Sequence, residues 1–202
     1  MLSCPLAAQQ QADVRPWSID VTPYIGYRSP MSFRTETVEG VTPTVSVDGS
    51  RSLGAAFGVR YNDEDVIELR WTRQDTRLRI TAPGVLPASQ HVILDQVHLD
   101  CSHEYLIEEW PEKARPFVIG SVGWTRVSST ATSAGFTRFS FSIGGGLKVF
   151  PSRHFGFRMQ AQWVPLWIQP EVRAFCSGGC IVNLSGQLAS QGEVTISPVF
   201  RF

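Results

Sequence analysis

The sequence predicts an all-β fold: an eight-stranded antiparallel up-and-down β-barrel that crosses a membrane. Three observations carry this. Period-two alternation of apolar and polar residues recurs eight times while helical periodicity is almost absent. Tight turns alternate with long loops. The polar phase of the strands is nearly free of lysine, with only Lys113 and Lys148 among 202 residues.

The strands are justified in order. From Trp17 to Arg28, the phase Trp17, Ile19, Val21, Pro23, Ile25, Tyr27 alternates with Ser18, Asp20, Thr22, Tyr24, Gly26, Arg28. The second sets Leu53, Ala55, Phe57, Val59 and Tyr61 against Ser52, Gly54, Ala56, Gly58 and Arg60. Ile67, Leu69 and Trp71 alternate with Glu68, Arg70 and Thr72 in the third, and Val97, Leu99 and Cys101 with Gln96, His98 and Asp100 in the fourth. The fifth, Pro116 to Arg126, has no settled phase, because Phe117 and Ile119 compete with Val118, Val122 and Trp124 for the apolar face. In the sixth, Phe139, Phe141, Ile143, Leu147 and Val149 alternate with Arg138, Ser140, Ser142 and Lys148. The seventh opposes Phe155, Phe157, Met159, Ala161 and Trp163 to Gly156, Arg158, Gln160 and Gln162. The last opposes Val194, Ile196, Pro198, Phe200 and Phe202 to Glu193, Thr195, Ser197 and Arg201. Asn62–Asp65 and Pro151–His154 read as tight turns and Ile107–Arg115 as a compact charged one; Ser29–Arg51, Asp75–Gln90, Val127–Gly135 and Gln169–Gly186 read as loops, mostly long.

Composition bounds the function. Basic and acidic residues cancel at 18 each, so a general nucleic-acid binder, which needs a basic surface, is not expected. Charged residues make up 18% of the chain, below the roughly 25% of soluble proteins. No run of about 18 apolar residues offers a membrane-spanning helix. The length suits one domain. Residues 1–12 read as the remnant of a secretory signal, cut near Ala8, or as a disordered tail, and residues 13–202 as the barrel. Cys4 follows Leu2-Ser3 as in a lipoprotein signal, without the apolar stretch upstream, so its removal or lipidation stays open. Cys176 and Cys180 bracket Ser-Gly-Gly, a spacing that allows a tight disulfide ring in an oxidising compartment; no nearby His or third Cys completes a metal site. Cys101 is expected to be a buried, inert thiol. No cofactor is expected.

Alternation alone does not say which face is wet. A soluble barrel needs a strongly solvated exterior, whereas this polar phase is Gly, Ser, Gln and scattered charges, which suits a narrow, filled lumen. Its ion-pair candidates are Asp20, Arg28, Arg60, Glu68, Arg70, Asp100, Glu104, Arg138, Lys148, Arg158, Glu193 and Arg201. With the long loops outside, Tyr27, Trp71, Trp124, Trp163 and Trp167 fall near the outer rim. Trp17, Tyr61, Phe155, Phe157, Phe200 and Phe202 fall near the inner one. Two aromatic belts are what bilayer interfaces favour.

The chain from Val14 to Phe202 resembles the small OmpA/OmpX-type outer-membrane barrels of Gram-negative bacteria. The resemblance rests chiefly on the strand Val194–Phe202, apolar at every second position and ending in Phe. Weaker support comes from Tyr24-Ile25-Gly26-Tyr27, Phe57-Gly58-Val59-Arg60-Tyr61 and Ile67-Glu68-Leu69-Arg70-Trp71. It implies an outer-membrane location with both termini periplasmic, and assembly by the barrel-assembly machinery reading Phe200 and Phe202. It implies no peptidoglycan-binding domain after Phe202.

The expected function is non-enzymatic: a monomer in outer-membrane lipid, displaying long loops to an unknown extracellular ligand over a lumen with at most small-pore activity. Met31, Phe33 and the cysteine ring are its expected exposed loop features. One alternative is a lipid-modifying barrel enzyme. His91, beside Ser89 at the outer rim, is the histidine nearest outer-leaflet lipid, His98 is expected inside against Glu68 or Glu104, and the His-x-Ser motif of barrel lipid A deacylases is absent. The other is a soluble lipocalin-like carrier, which lacks support because neither the Gly-x-Trp motif nor a C-terminal helix pattern is present.

Overall fold

The computed structural model describes residues 17–34, 44–81, 88–107, 114–130, 135–168, 172–175, 181–184 and 187–202. Twelve strands are present in them: β1 (Ser18–Arg28), β2 (Met31–Arg34), β3 (Thr44–Val47), β4 (Ser50–Arg60), β5 (Asp65–Thr81), β6 (Ala88–Glu104), β7 (Ala114–Ser129), β8 (Gly135–Val149), β9 (Phe155–Ile168), β10 (Val172–Phe175), β11 (Ile181–Leu184) and β12 (Gln187–Arg201). Eight of them, in the order β5-β4-β1-β12-β9-β8-β7-β6 and back to β5, close an antiparallel barrel. Closure pairs every wall strand on both sides, which a sheet in lipid requires because hydrocarbon satisfies no backbone group.

The other four strands extend the loops. Asp75–Gln90 contains the ends of β5 and β6, which stay paired out to Ile80↔Ala88. Ser29–Arg51 contains the β2–β3 hairpin, with β3 laid along the end of β5. Gln169–Gly186 contains the separate β10–β11 hairpin. The loops are thus more structured than the sequence suggests, because β-branched residues there continue the alternation. The short Tyr61–Glu64 connection is tied by the Asn62 side chain, which accepts bonds from the backbone N–H groups of Glu64 at 2.9 Å and Asp65 at 2.5 Å. Below, the end with the short turns and both barrel termini is the terminal end, and the other is the loop end.

Through most of the wall, apolar side chains point outward and polar ones inward. Ile25, Leu53, Phe57, Leu69, Leu99, Val122, Ile143, Met159 and Ile196 are all exposed, Met159 at 61%. β7 takes the phase that exposes Val118, Val122 and Trp124 and turns Phe117 and Ile119 inward. Cys101 corrects the expectation of burial: it is a free thiol exposed on the outer face, in phase with Leu99.

One rung of the wall is missing. In the β1–β12 ladder, Ile19 and Phe202 exchange both backbone bonds, 3.1 and 2.9 Å, and Ser29 N donates to Gly192 O at 2.8 Å. Stepping by two, Pro23 faces Pro198 at a hydrogen-bonded position, and neither has an N–H. The pairing accordingly lapses between Val21↔Phe200 and Ile25↔Ile196.

Candidate functional site

The inward phase of the terminal-end half builds a continuous polar plug. Nearest the terminal end, Glu104 of β6 accepts from Lys148 Nζ at 2.8 Å and Arg60 Nη2 at 2.7 Å, with Arg115 Nη1 at 3.5 Å. Asp20 is held by both Arg201 Nε, 2.8 Å, and Nη2, 2.9 Å. Deeper, Arg158 Nη1 donates to both Glu68 oxygens at 2.9 and 2.7 Å, and Arg70 Nε lies 2.9 Å from Asp100. Above these, Arg28 pairs with Glu193 at 3.0 Å, and Glu193 also accepts from Ser52 Oγ at 2.7 Å and Gln162 Nε2 at 2.5 Å.

Two of these contacts cross the whole lumen. β5 and β9 are four strands apart whichever way the ring is followed, so they are opposite walls. Arg158 on β9 reaches Glu68 on β5, and Arg70 on β5 reaches Gln162 Oε1 on β9 at 2.5 Å. Long cationic side chains therefore lie across the bore rather than along it. Both carboxylates and both guanidiniums are almost fully buried, which is tolerable only because each charge has an opposite partner.

Large inward rings fit where the facing residue is glycine. Tyr24 sits opposite Gly54, where an added Cβ would lie 2.5 Å from its hydroxyl oxygen; that hydroxyl donates to Trp71 O at 3.0 Å and also bonds Thr72. His98 sits opposite Gly123 in the same way, an added Cβ falling 2.5 Å from its Cδ2. Contrary to the expected acidic neighbour, His98 Nδ1 bonds Ser121 Oγ at 3.0 Å and Nε2 bonds Ser140 Oγ at 2.7 Å. Serines on the adjoining β7 and β8 are closer than any carboxylate.

Of the twelve predicted lumen residues, eleven enter ion pairs. Arg138 does not: it lies near the loop end, donates to Thr137 O at 2.9 Å, and has no acidic partner among the described residues. Arg115, assigned to a turn by the sequence, joins Glu104 instead. Gln162 bridges Arg70 and Glu193, and Gln96 links Arg28 to Thr125; the sequence signal for both is their inward phase beside Arg158 and His98.

Towards the loop end the lumen changes character. Met31, Val45, Val47, Val92, Leu94, Leu166 and Ala189 form one buried apolar cluster, flanked by Leu78, Ile80, Val127 and Phe136. Met31, expected on an exposed loop, is thus only 5% exposed and helps to fill the mouth. The side chain of Phe33, that of Trp167, and Cys4, Cys176 and Cys180 lie outside the described residues. His91 is exposed, and its backbone carbonyl accepts from Thr130.

Comparison with solved structures places this architecture. OprG from Pseudomonas aeruginosa matches with a TM-score of 0.66 at 12% identity, over 92% of this chain and 95% of that one. The chain has the fold of the small outer-membrane β-barrels. Neisserial surface protein A shares this outer-membrane-barrel fold, with a TM-score of 0.59 at 10% identity over 91% of this chain and 97% of that one. AlkL, solved in lipid bilayers, matches with 0.53 at 11% identity, over 92% and 89%. No family model and no curated protein matches the sequence. Within the outer-membrane-barrel fold, the plug and the apolar mouth are built from this chain's own residues.

Proposed function

We propose that the protein is a non-enzymatic outer-membrane barrel that presents its long loops to an extracellular partner and keeps its lumen shut. The observation that carries this reading is the pair of cross-lumen contacts, Arg158 to Glu68 and Arg70 to Gln162, backed by the apolar mouth cluster. A bore crossed by paired charges at one level and sealed by aliphatic side chains at the next leaves no wide aqueous path. In this reading the barrel termini are periplasmic, and the exposed ends Phe200 and Phe202 serve barrel assembly. The protein works as a monomer, and its signal segment and Cys176–Cys180 ring belong to secretion through an oxidising compartment.

Two of the four histidines, His91 and His98, support a non-catalytic role, whereas His103 Nδ1 is paired with Asp65 at 2.7 Å at the terminal end. His98 is held by two serines, and the described contacts of exposed His91 involve no carboxylate that could orient it as a base. Planar-bilayer recording tests the proposal. Absent or small, intermittent conductance is expected, and large stable channels would overturn it.

A further inference from the structure

On one side of the barrel, the outward face changes from apolar to arginine towards the loop end of three strands. Arg51 follows Leu53 on β4, Arg73 follows Trp71 on β5, and Arg126 follows Trp124 on β7, each at the first outward position beyond the last apolar one. Arg77 stands two outward positions farther along β5. The register joins the strip: Asp95 of β6 lies opposite both Arg73 and Arg126. Outward residues two apart on a tilted strand differ in height by roughly 5 Å. Arg73 and Arg126 therefore sit about 5 Å beyond the Trp71 and Trp124 rings, at the depth of lipid headgroups; Leu53 is the residue opposite Arg73, so Arg51 stands one outward position farther along the ladder.

These arginines are not used by the fold. Among the described residues, Arg51, Arg77 and Arg126 have no carboxylate within salt-bridge distance, and Arg73 has only a 3.8 Å contact with Asp75 between two solvated side chains. Arg79, by contrast, is tied to Asp48 at 2.8 Å. Four available arginines stand against Asp75 and Asp95, so the strip is net basic. The facing side has no counterpart, since Tyr27, Thr137, Ser190 and Gly192 take the outward positions near that level.

We infer that the β4–β7 face binds the phosphate groups of an outer-leaflet glycolipid, with Arg51, Arg73 and Arg126 as the phosphate ligands. Guanidinium forks match phosphate oxygens, and side chains already in the headgroup layer meet them without leaving the wall. Arg77 is placed to reach a phosphate carried higher on the sugar portion. This inference rests on the proposed orientation, with the loop end outside.

The test uses the full chain in phosphatidylcholine vesicles containing bisphosphorylated lipid A, with bound lipid measured by native mass spectrometry after detergent extraction. The R51Q/R73Q/R126Q variant is expected to retain roughly ten-fold less lipid A than the parent, while R79Q retains the parental amount. Lipid A stripped of its phosphates is expected to be retained poorly, and millimolar inorganic phosphate to leave retention intact. Equal retention by the triple variant and the parent would overturn the inference. So would displacement by inorganic phosphate, which would mark a free-anion site. Vesicle binding does not depend on cellular orientation. Labelling of single cysteines in the long loops on intact cells tests the orientation separately, and unlabelled loops would sink that reading alone.

Discussion

The two ends of the barrel wall obey opposite rules. In the terminal-end half, β5 points Ile67, Leu69 and Trp71 outward and Glu68, Arg70 and Thr72 inward. Beyond Trp71, the same strand points Arg73, Asp75, Arg77 and Arg79 outward, and Leu78 and Ile80 turn inward toward the mouth cluster. β6 makes the same change between Val97 and Asp95 outside and between Gln96 and Leu94 inside. The backbone alternation never slips; what reverses is which phase is apolar. A segment facing hydrocarbon must put its apolar residues outside, and one facing water must put them inside. The reversal thus marks where the strand leaves lipid, and the apolar mouth is the core of a short water-exposed barrel stacked on a membrane-spanning one. The outward phase of β6 from Val97 to Tyr105, apolar except for His103 near the terminal end, spans about nine residues, the length a tilted strand needs to cross.

Substitutions can break this contrast. The largest effect is expected in the plug: Glu104→Ala leaves Lys148 only the longer contact to Glu68, 3.7 Å, Arg60 only that to Asp20, 3.9 Å, and Arg115 no carboxylate among the described residues, costing about 3 kcal/mol in urea unfolding of the reconstituted protein. Next is an outward charge at two depths. Leu69→Arg places a cation in hydrocarbon and should cost about 2–4 kcal/mol, whereas Thr81→Arg on the same outward phase should stay within about 0.5 kcal/mol. Equal costs at both positions would remove the boundary. Leu94→Ala should cost about 2 kcal/mol, at the lower end for a buried leucine because the mouth can settle around it, and its gel migration before heating should match the parent's. The smallest effect is a gain. Pro23→Val with Pro198→Val restores two wall hydrogen bonds and should raise stability by about 1–2 kcal/mol, read as a later urea midpoint.

How much of this was legible in the sequence follows from the same reversal. Period-two alternation with lysine-poor polar phases was enough for the barrel and for most of the plug, because Glu68, Arg70, Asp100, Arg158 and Glu193 lie within the span where one rule holds. It failed for Pro116 to Arg126, where Phe117 and Ile119 are apolar on the inner side: the Phe117 ring lies under Lys148 and Arg158, 5.2 and 4.8 Å from its centre, and so packs against charge. It failed again past Trp71, where a single inside-polar rule reads Leu78 as loop, and at the start of the fourth strand, where Val92 and Leu94 are apolar on the inner side. The exposure of Cys101 needed only its phase with Leu99. The partners of His98 needed the register, since Ser121 and Ser140 come from other strands.

The most direct measurement is a nitroxide accessibility scan along the outward phase of β5, at positions 67, 69, 71, 73, 75, 77 and 79, in the reconstituted protein. Oxygen accessibility should dominate at 67–71 and a water-soluble nickel complex at 75–79, with the crossover between Trp71 and Asp75. Lipid-like accessibility continuing to position 79, or water-like accessibility throughout, would contradict the two-part barrel.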